Sequence, residues 1–247
     1  MLLEAGDAFG RSTKREEEKA ELILEAMARM GYDAYNLGAR ELIFGQEFIR
    51  NRLDKHGIPL LCSNVMLEEE GTPFALPYTV KDLKGIRVGV VGLMSNLFRP
   101  RARRPADRPL SVRDYLQVAS RLIPELRKQC QVVLVLGHLT LEEAGELAES
   151  IPGITAIILA WAMGPIDPPL EHRGTLILSA GTEGTHLGEL FLHLDREGKV
   201  VSHYARLTAL TRKIPDHPGI AQLLAERGFD LPSVETPLPV EGSLPRI

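Results

Sequence analysis

Only two cysteines, Cys62 and Cys130, occur in 247 residues. Their number does not suggest a disulfide scaffold, and they lack CxxC spacing. Each adjoins an apolar run, "LLCSNV" and "CQVVLVLG", where a buried thiol is the plain reading. They leave the redox compartment open. No apolar run is long enough to span a bilayer, and no signal peptide is visible, since the chain opens directly on "MLLEAGDAFG". No charge of one sign dominates: a net charge of -4 gives no general reason to expect nucleic acid or an acidic membrane as partner. Aromatic residues make up only 5%. What is there is ordinary for a soluble fold, with 44% hydrophobic and 25% charged residues. The length suits one large α/β domain or two small ones.

Strand and helix patterns alternate along the chain. "MLLEAGD" is a short apolar run ending in a turn. "KREEEKAELILEAMARMG" has helical periodicity, with Ala20, Leu22, Ile23, Leu24, Ala26 and Met27 toward one face and Gly31 as stop signal. "YDAYNLG" and "IPLLCSNV" are strands flanking the helix "QEFIRNRLDKHG". "YTVKDLKGIRVGVVGLM" reads as a hairpin turning near Lys84 and Gly85. "SVRDYLQVASRLIPELRKQ" predicts a helix capped by Ser111. Next come the buried strand "VVLVLGH", a helix capped by Thr140, the buried strand "ITAIILAWA", and three consecutive strands, "GTLILSAG", "LGELFLHLD" and "KVVSHYARLTAL". "HPGIAQLLAERG" predicts a last helix. There is no internal repeat. The expected organisation is one domain over 1–230 and a proline-rich tail over 231–247. Strand–helix–strand units followed by a run of strands suggest mixed sheets flanked by helices.

In such folds ligands bind at loops after the carboxyl ends of strands. The residues there are Asp7, Ala39 to Glu41, Asn64, Ser95 and Asn96, His138, and Trp161 to Met163. Acidic, amide and imidazole groups at successive strand ends would suit a two-metal hydrolase. Singly, Asp7 also reads as a turn residue or helix cap, and His138 as a hydrogen-bonded strand-end histidine.

Six segments, in order, carry a resemblance. "LLEAGDAFG" is similar to "LLLDAGDxFqG", and "MARMGYDAYNLGARELIFG" to "MNxLGYDaxxLGNHEFDxG". "IPLLCSNV", "KGIRVGVVGL", "VVLVLGHLTLEEAGELAESIPGITAII" and "GTLILSAGTEGTHLGELFLHLDREGKV" continue it. The chain resembles the calcineurin-like metallophosphoesterase domain of the bacterial 5'-nucleotidase, 2',3'-cyclic phosphodiesterase and thiosulfohydrolase family. The resemblance implies a four-layer α/β/β/α sandwich. It also implies two divalent metals held by a DxH pair, the Asp of GD, the Asn of GNH, a strand-end His and a final GHxH.

By that resemblance Asp7 matches the bridging Asp and His138 the strand-end His. These are the two metal-ligand positions retained. Ala39 stands at the Asn ligand, Arg40 at the catalytic His, and Trp161 and Met163 at two further His ligands. Glu41 keeps the family Glu, so Arg40 and Glu41 are vestigial catalytic positions. The DxH strand would precede the first residues of this sequence. The fold is therefore expected to lack its first strand, leaving an exposed sheet edge or a vacated slot. Such an edge invites a homodimer or a partner protein. If Met1 is internal to a longer chain, that strand and an export signal return, as in periplasmic relatives, but the replaced ligands do not.

One feature is new beside the resemblance. "NLFRPRARRPADRPLS" places Arg99, Arg101, Arg103, Arg104 and Arg108 in one loop. With Arg40 they could form an anion pocket, although a solvated, proline-stiffened loop is the preferred reading. Only Phe98 interleaves with these arginines, which disfavours nucleic acid. The expected function is a non-catalytic binding or assembly module with no cofactor, Trp161 and Met163 filling the old ligand space. One alternative is a phosphoesterase or related hydrolase with a reduced site using manganese, zinc or iron. Another is an anion-binding protein.

Overall fold

Valine- and leucine-rich runs alternate with amphipathic helices; some runs pair across short turns, and others with strands far along the chain. The computed structural model describes residues 1–10 and 14–229. In chain order these form β1 (Leu3–Glu4), α1 (Lys14–Met30), β2 (Ala34–Asn36), a 3-10 turn (Glu41–Phe44), α2 (Gln46–His56), β3 (Leu60–Leu61) and β4 (Val65–Leu67). Then come β5 (Tyr78–Leu83), β6 (Ile86–Met94), β7 (Leu110–Val112), α3 (Tyr115–Arg127), β8 (Val132–His138), α4 (Leu141–Ser150) and β9 (Ala156–Leu159). The last elements are β10 (Pro165–His172), β11 (Thr175–Ala180), β12 (His186–Leu194), β13 (Val200–Ala209) and α5 (Pro218–Glu226). The chain divides into two units, Met1–Leu210 and Thr211–Ile247, and α5 belongs to the second. The boundary expected near Asp230 and the tail 231–247 lie outside the described residues. Among the described residues no helix is long and apolar enough to cross a membrane.

The first unit is layered, and its three apolar cores show how. A six-stranded sheet has the order β10-β11-β9-β8-β6-β5, and a three-stranded sheet the order β1-β2-β3. Along β6 and β8, Val88, Val90, Val132, Leu134 and Leu136 point into one core, while Val91, Leu93, Val133 and Val135 point into another. Both faces are apolar because both are covered, as mixed or parallel sheets with flanking layers require. The second of these cores packs on α3 and α4. The first lies between the sheets and takes in Ala34 and Leu61 of the smaller sheet. A third core joins α1 and α2 to the outer face of β2 and β3, through Leu24, Ile49, Leu53, Tyr35 and Leu60. The layers therefore run α/β/β/α, as the resemblance implies. Each buried valine or leucine contributes roughly 1.5–3 kcal/mol relative to exposure.

Gly92 shows how close the sheets come. A Cβ there would sit 2.7 Å from the Leu61 carbonyl carbon and 2.8 Å from the Leu61 Cβ, so the packing admits only hydrogen. Asn36 spans the same gap, donating to the carbonyls of Ala5 at 3.1 Å and Leu93 at 3.3 Å.

Several expectations need correction. Ser111 does not cap a helix. It lies in β7, which pairs antiparallel with β4, and Asp114 caps α3 by accepting from the Gln117 amide at 2.7 Å. The proline-containing segment Pro165–His172, to which the sequence pattern assigns no element, is a strand that pairs antiparallel with β11. It is the outermost strand of its sheet, where the missing proline N–H can face away from the ladder.

Candidate functional site

The turns after β1 and β2 meet at one buried carboxylate. Glu41 is fully buried. It accepts from the Tyr35 hydroxyl at 2.7 Å, the Gly38 amide at 2.8 Å and the Asp7 amide at 3.1 Å. Burial, and then the charge of Asp7, raise its pKa against the pull of these hydrogen bonds. A Cβ on Gly38 would collide with both Asp7 and Glu41, so "LGARE" can fold this way only with glycine at that position. Asp7 itself has φ +63°, a left-handed conformation that aspartate tolerates better than most residues.

That backbone aims Asp7 at His138, from the end of β8. The Asp7 Oδ2 lies 2.9 Å from the His138 Nε2, and Oδ1 accepts from the Arg40 amide at 2.9 Å. Burial works against the ionised Asp7, but the His138 ring, the Arg40 amide and the Arg40 guanidinium outweigh it and hold its pKa below the usual value. His138 is 4% exposed. The Trp161 indole stacks on its ring at 5.3 Å and 21°, and Phe98 meets it edge-on at 6.3 Å.

The structure thus brings Asp7, Ala39, Arg40, His138 and Trp161 to the same opening. Two expected fillers are not filling. Trp161 is 48% exposed and covers His138 from the solvent side, while Met163 points fully into solvent. β9 ends at Leu159, so both residues lie beyond the strand and escape its burial. Asn64 is fully buried and serves the fold: its amide donates to the carbonyls of Met94 at 2.8 Å and Arg113 at 2.9 Å, and its oxygen accepts from the Met94 amide.

The arginines do not form one cluster. Arg40 and Arg99 line the opening, but Arg99 donates to the carbonyls of Asn96 and Phe98. Arg104 reaches the Phe44 carbonyl at 3.4 Å, Arg108 pairs with Glu70, and Arg101 and Arg103 are exposed. Asp107 organises the loop by accepting the amides of Gln46, Arg103 and Arg104. Tyr35 was overlooked in the sequence. A glutamate followed by the apolar "LIF" needs a buried donor, and a tyrosine six residues earlier was available.

A two-metal centre needs several donors per ion. Here Asp7 and His138 converge on each other, Glu41 is spent on Tyr35 and two amides, and Asn64 on backbone. Among the described residues no group of three or more His, Cys, Asp or Glu side chains could hold a metal ion. The donor set does not fit the two-metal site of the resemblance.

No family model matches the chain. It is 25% identical over 169 residues to the 5'-nucleotidase of Vibrio cholerae, covering 68% of this chain and 31% of that protein. It is 23% identical over 206 residues to the 2',3'-cyclic-nucleotide 2'-phosphodiesterase/3'-nucleotidase of Salmonella typhimurium, covering 71% and 32%. Among solved structures it superposes on a 5'-nucleotidase precursor from Thermus thermophilus with a TM-score of 0.76 at 21% identity, over 92% of this chain and 49% of that one. The calcineurin-like phosphoesterase YfkN from Bacillus subtilis gives 0.71 at 19% identity, over 92% and 82%. The chain spans about a third of the length of the curated relatives it matches. These likenesses show the calcineurin-like phosphoesterase fold, and the chain's relatives are 5'-nucleotidases and 2',3'-cyclic phosphodiesterases.

Proposed function

We propose that this domain binds or assembles and does not hydrolyse phosphoesters. One observation carries the reading. The two side chains retained at ligand positions close on each other at 2.9 Å, with Trp161 stacked over the histidine, and the neighbouring Glu41 carboxylate is taken up by Tyr35 and two backbone amides. The Arg40 guanidinium adds positive charge next to Asp7. Like charges repel by roughly 4 kcal/mol at 4 Å with an effective dielectric of about 20, so Arg40 opposes a cation there. Anion binding is the weaker reading, because only Arg40 and Arg99 approach the opening and Arg99 already bonds to its own loop.

The test pairs elemental analysis of the purified protein with hydrolysis of nitrophenyl phosphate and nucleotides in added manganese. The expected result is less than one equivalent of manganese, zinc or iron and no turnover above blank. Turnover that vanishes in both Asp7→Asn and His138→Ala would overturn the proposal and make those residues ligands of a working reduced site.

A further inference from the structure

The connection between β6 and β7 carries Arg99, Arg101, Arg103, Arg104 and Arg108 against one carboxylate, Asp107, a local charge of +4 in a chain whose total is -4. Its backbone is fastened to the start of α2. Gly45 gives α2 no side-chain cap, and Asp107 supplies one from the loop by accepting the Gln46 amide at 2.9 Å. The same carboxylate accepts the amides of Arg103 at 2.7 Å and Arg104 at 2.8 Å. Gln46 in turn donates to the Arg108 carbonyl at 2.6 Å and accepts its amide at 3.2 Å. Gly45 has φ +93°, and a Cβ there would meet the Arg104 Cγ at 2.6 Å, so only glycine lets the Arg104 stem lie against the helix end.

This fastening spends the carboxylate on backbone and leaves guanidinium groups over. Arg108 pairs with Glu70, and Arg99 donates to its own loop. Among the described residues no carboxylate forms an ion pair with Arg101, Arg103 or Arg104, and all three are exposed. At the foot of the loop lies a pocket of about 360 Å³, lined by Phe44, Phe48, Arg52, Arg104 and Asp107. That is near the lower end of the range for ligand pockets, about 300–1,000 Å³, and suits one large side chain. The Phe44 and Phe48 rings stand 5.2 Å apart at 34°, and the Arg52 guanidinium lies 5.4 Å over Phe48. The wall is therefore aromatic, and the rim carries arginine.

We propose that this loop and pocket dock an acidic segment of a partner protein, with one aromatic side chain in the pocket and carboxylates on Arg101, Arg103 and Arg104. The inference deepens the binding reading above and rests on it. Charge complementarity selects the occupant. Each planar guanidinium can donate two parallel N–H bonds to a carboxylate. A loop already held in place loses little freedom on binding, which is how preorganised surfaces gain affinity, and an aromatic anchor in a pocket concentrates that affinity. A free phosphate would engage the arginines and leave the pocket empty. Nucleic acid presents an unbroken run of phosphates, which Glu47 and Asp107 at the pocket repel. A peptide can set carboxylates opposite the arginines and leave gaps opposite the acids.

The probe is a fluorophore-labelled peptide with one phenylalanine between runs of aspartate and glutamate, titrated with the full chain and followed by anisotropy. The expected result is saturable binding. It should weaken about tenfold in the double variant Arg101→Ala, Arg103→Ala, and about tenfold when alanine replaces the peptide's phenylalanine. Asp107→Ala separates docking from diffuse attraction. It raises the local positive charge but releases the loop, so docking predicts binding about threefold weaker in a variant whose circular dichroism matches wild type. Tighter binding by that variant overturns the proposal; if it does not fold, the double variant decides alone, and unchanged binding there has the same force. Displacement by tripolyphosphate or oligo-dT at the peptide's own affinity would replace the partner protein with a phosphate ligand or nucleic acid. A sedimenting dimer that the double variant dissociates would replace it with a second copy. Phosphoesterase turnover is measured on the same samples. Absent binding without turnover removes this site and leaves the non-catalytic reading standing, whereas turnover with the peptide bound does the reverse.

Discussion

Glu41→Ala is expected to lower the unfolding free energy by about 3–4 kcal/mol. The carboxylate is fully buried and accepts three hydrogen bonds. Removing it strands the Tyr35 hydroxyl and the Gly38 and Asp7 amides, at roughly 1–3 kcal/mol for each group that water cannot reach. Part of that loss is offset, because burial and the nearby Asp7 charge already disfavour ionised Glu41. Glu41→Gln keeps one acceptor oxygen for the amides and an NH2 that the Tyr35 oxygen can accept from, so about 1–2 kcal/mol is expected. Urea denaturation at neutral pH measures both. An alanine variant within about 1 kcal/mol of wild type would mean that the carboxylate's own burial cost cancels its bonds. Against a typical total of about 5–15 kcal/mol, the expected loss is a large share of the stability.

Glu4→Gln should do the opposite, and only at higher pH. Glu4 lines the same opening as Asp7, and burial raises its pKa from 4.5 to about 7, with Glu41 and Asp7 adding to the rise and the Gly6 and Ala5 amides opposing it. The folded state therefore holds its proton more tightly than the unfolded state. Below pH 4.5 both states are protonated and nothing is lost. From there to about pH 7 the unfolded chain ionises first, and stability falls; above it the penalty is constant. At roughly 1.4 kcal/mol per unit the penalty is about 3 kcal/mol, discounted to about 2 because the opening admits water. Glutamine removes the ionisation and keeps an oxygen for the Gly6 amide, which Glu4 accepts at 3.2 Å. The variant should exceed wild type by about 2 kcal/mol at pH 8 and by less than about 1 at pH 5. An equal gain at both would assign the effect to packing.

The strands that carry the fold were legible because their alternation is enforced twice. In "VVLVLGH" every position is buried on one face or the other, so the run is apolar throughout and ends in a polar residue where the sheet ends. His138 could be named as a strand-end residue for that reason, whereas its pairing with Asp7 as ligand positions came from the resemblance alone. Features set by partners distant in sequence were not legible. Ser111 looks like a cap until β4 is known to pair with it. The prolines of β10 argue against a strand until its edge position is known. Nothing in "RPRARRPADRP" reveals that Asp107 will gather three backbone amides and leave the guanidinium groups pointing apart. Trp161 was placed correctly in sequence but assigned volume to fill, because orientation beyond a strand end has no periodicity to read.

The two cysteines acquire a different meaning in the layered fold. Cys62 lies in the core beneath α1 and α2, Cys130 in the core beneath α3 and α4. Burial pushes the Cys62 thiol up to about 12 and raises that of Cys130 as well. The thiolate is the reactive form, so in the closed molecule both are chemically silent, and alkylation must wait for a local opening. Since the sulfurs sit in the two outer cores, their labelling rates are separate clocks. One times the lifting of the first helical coat and the other the lifting of the second, without any residue being introduced to report it.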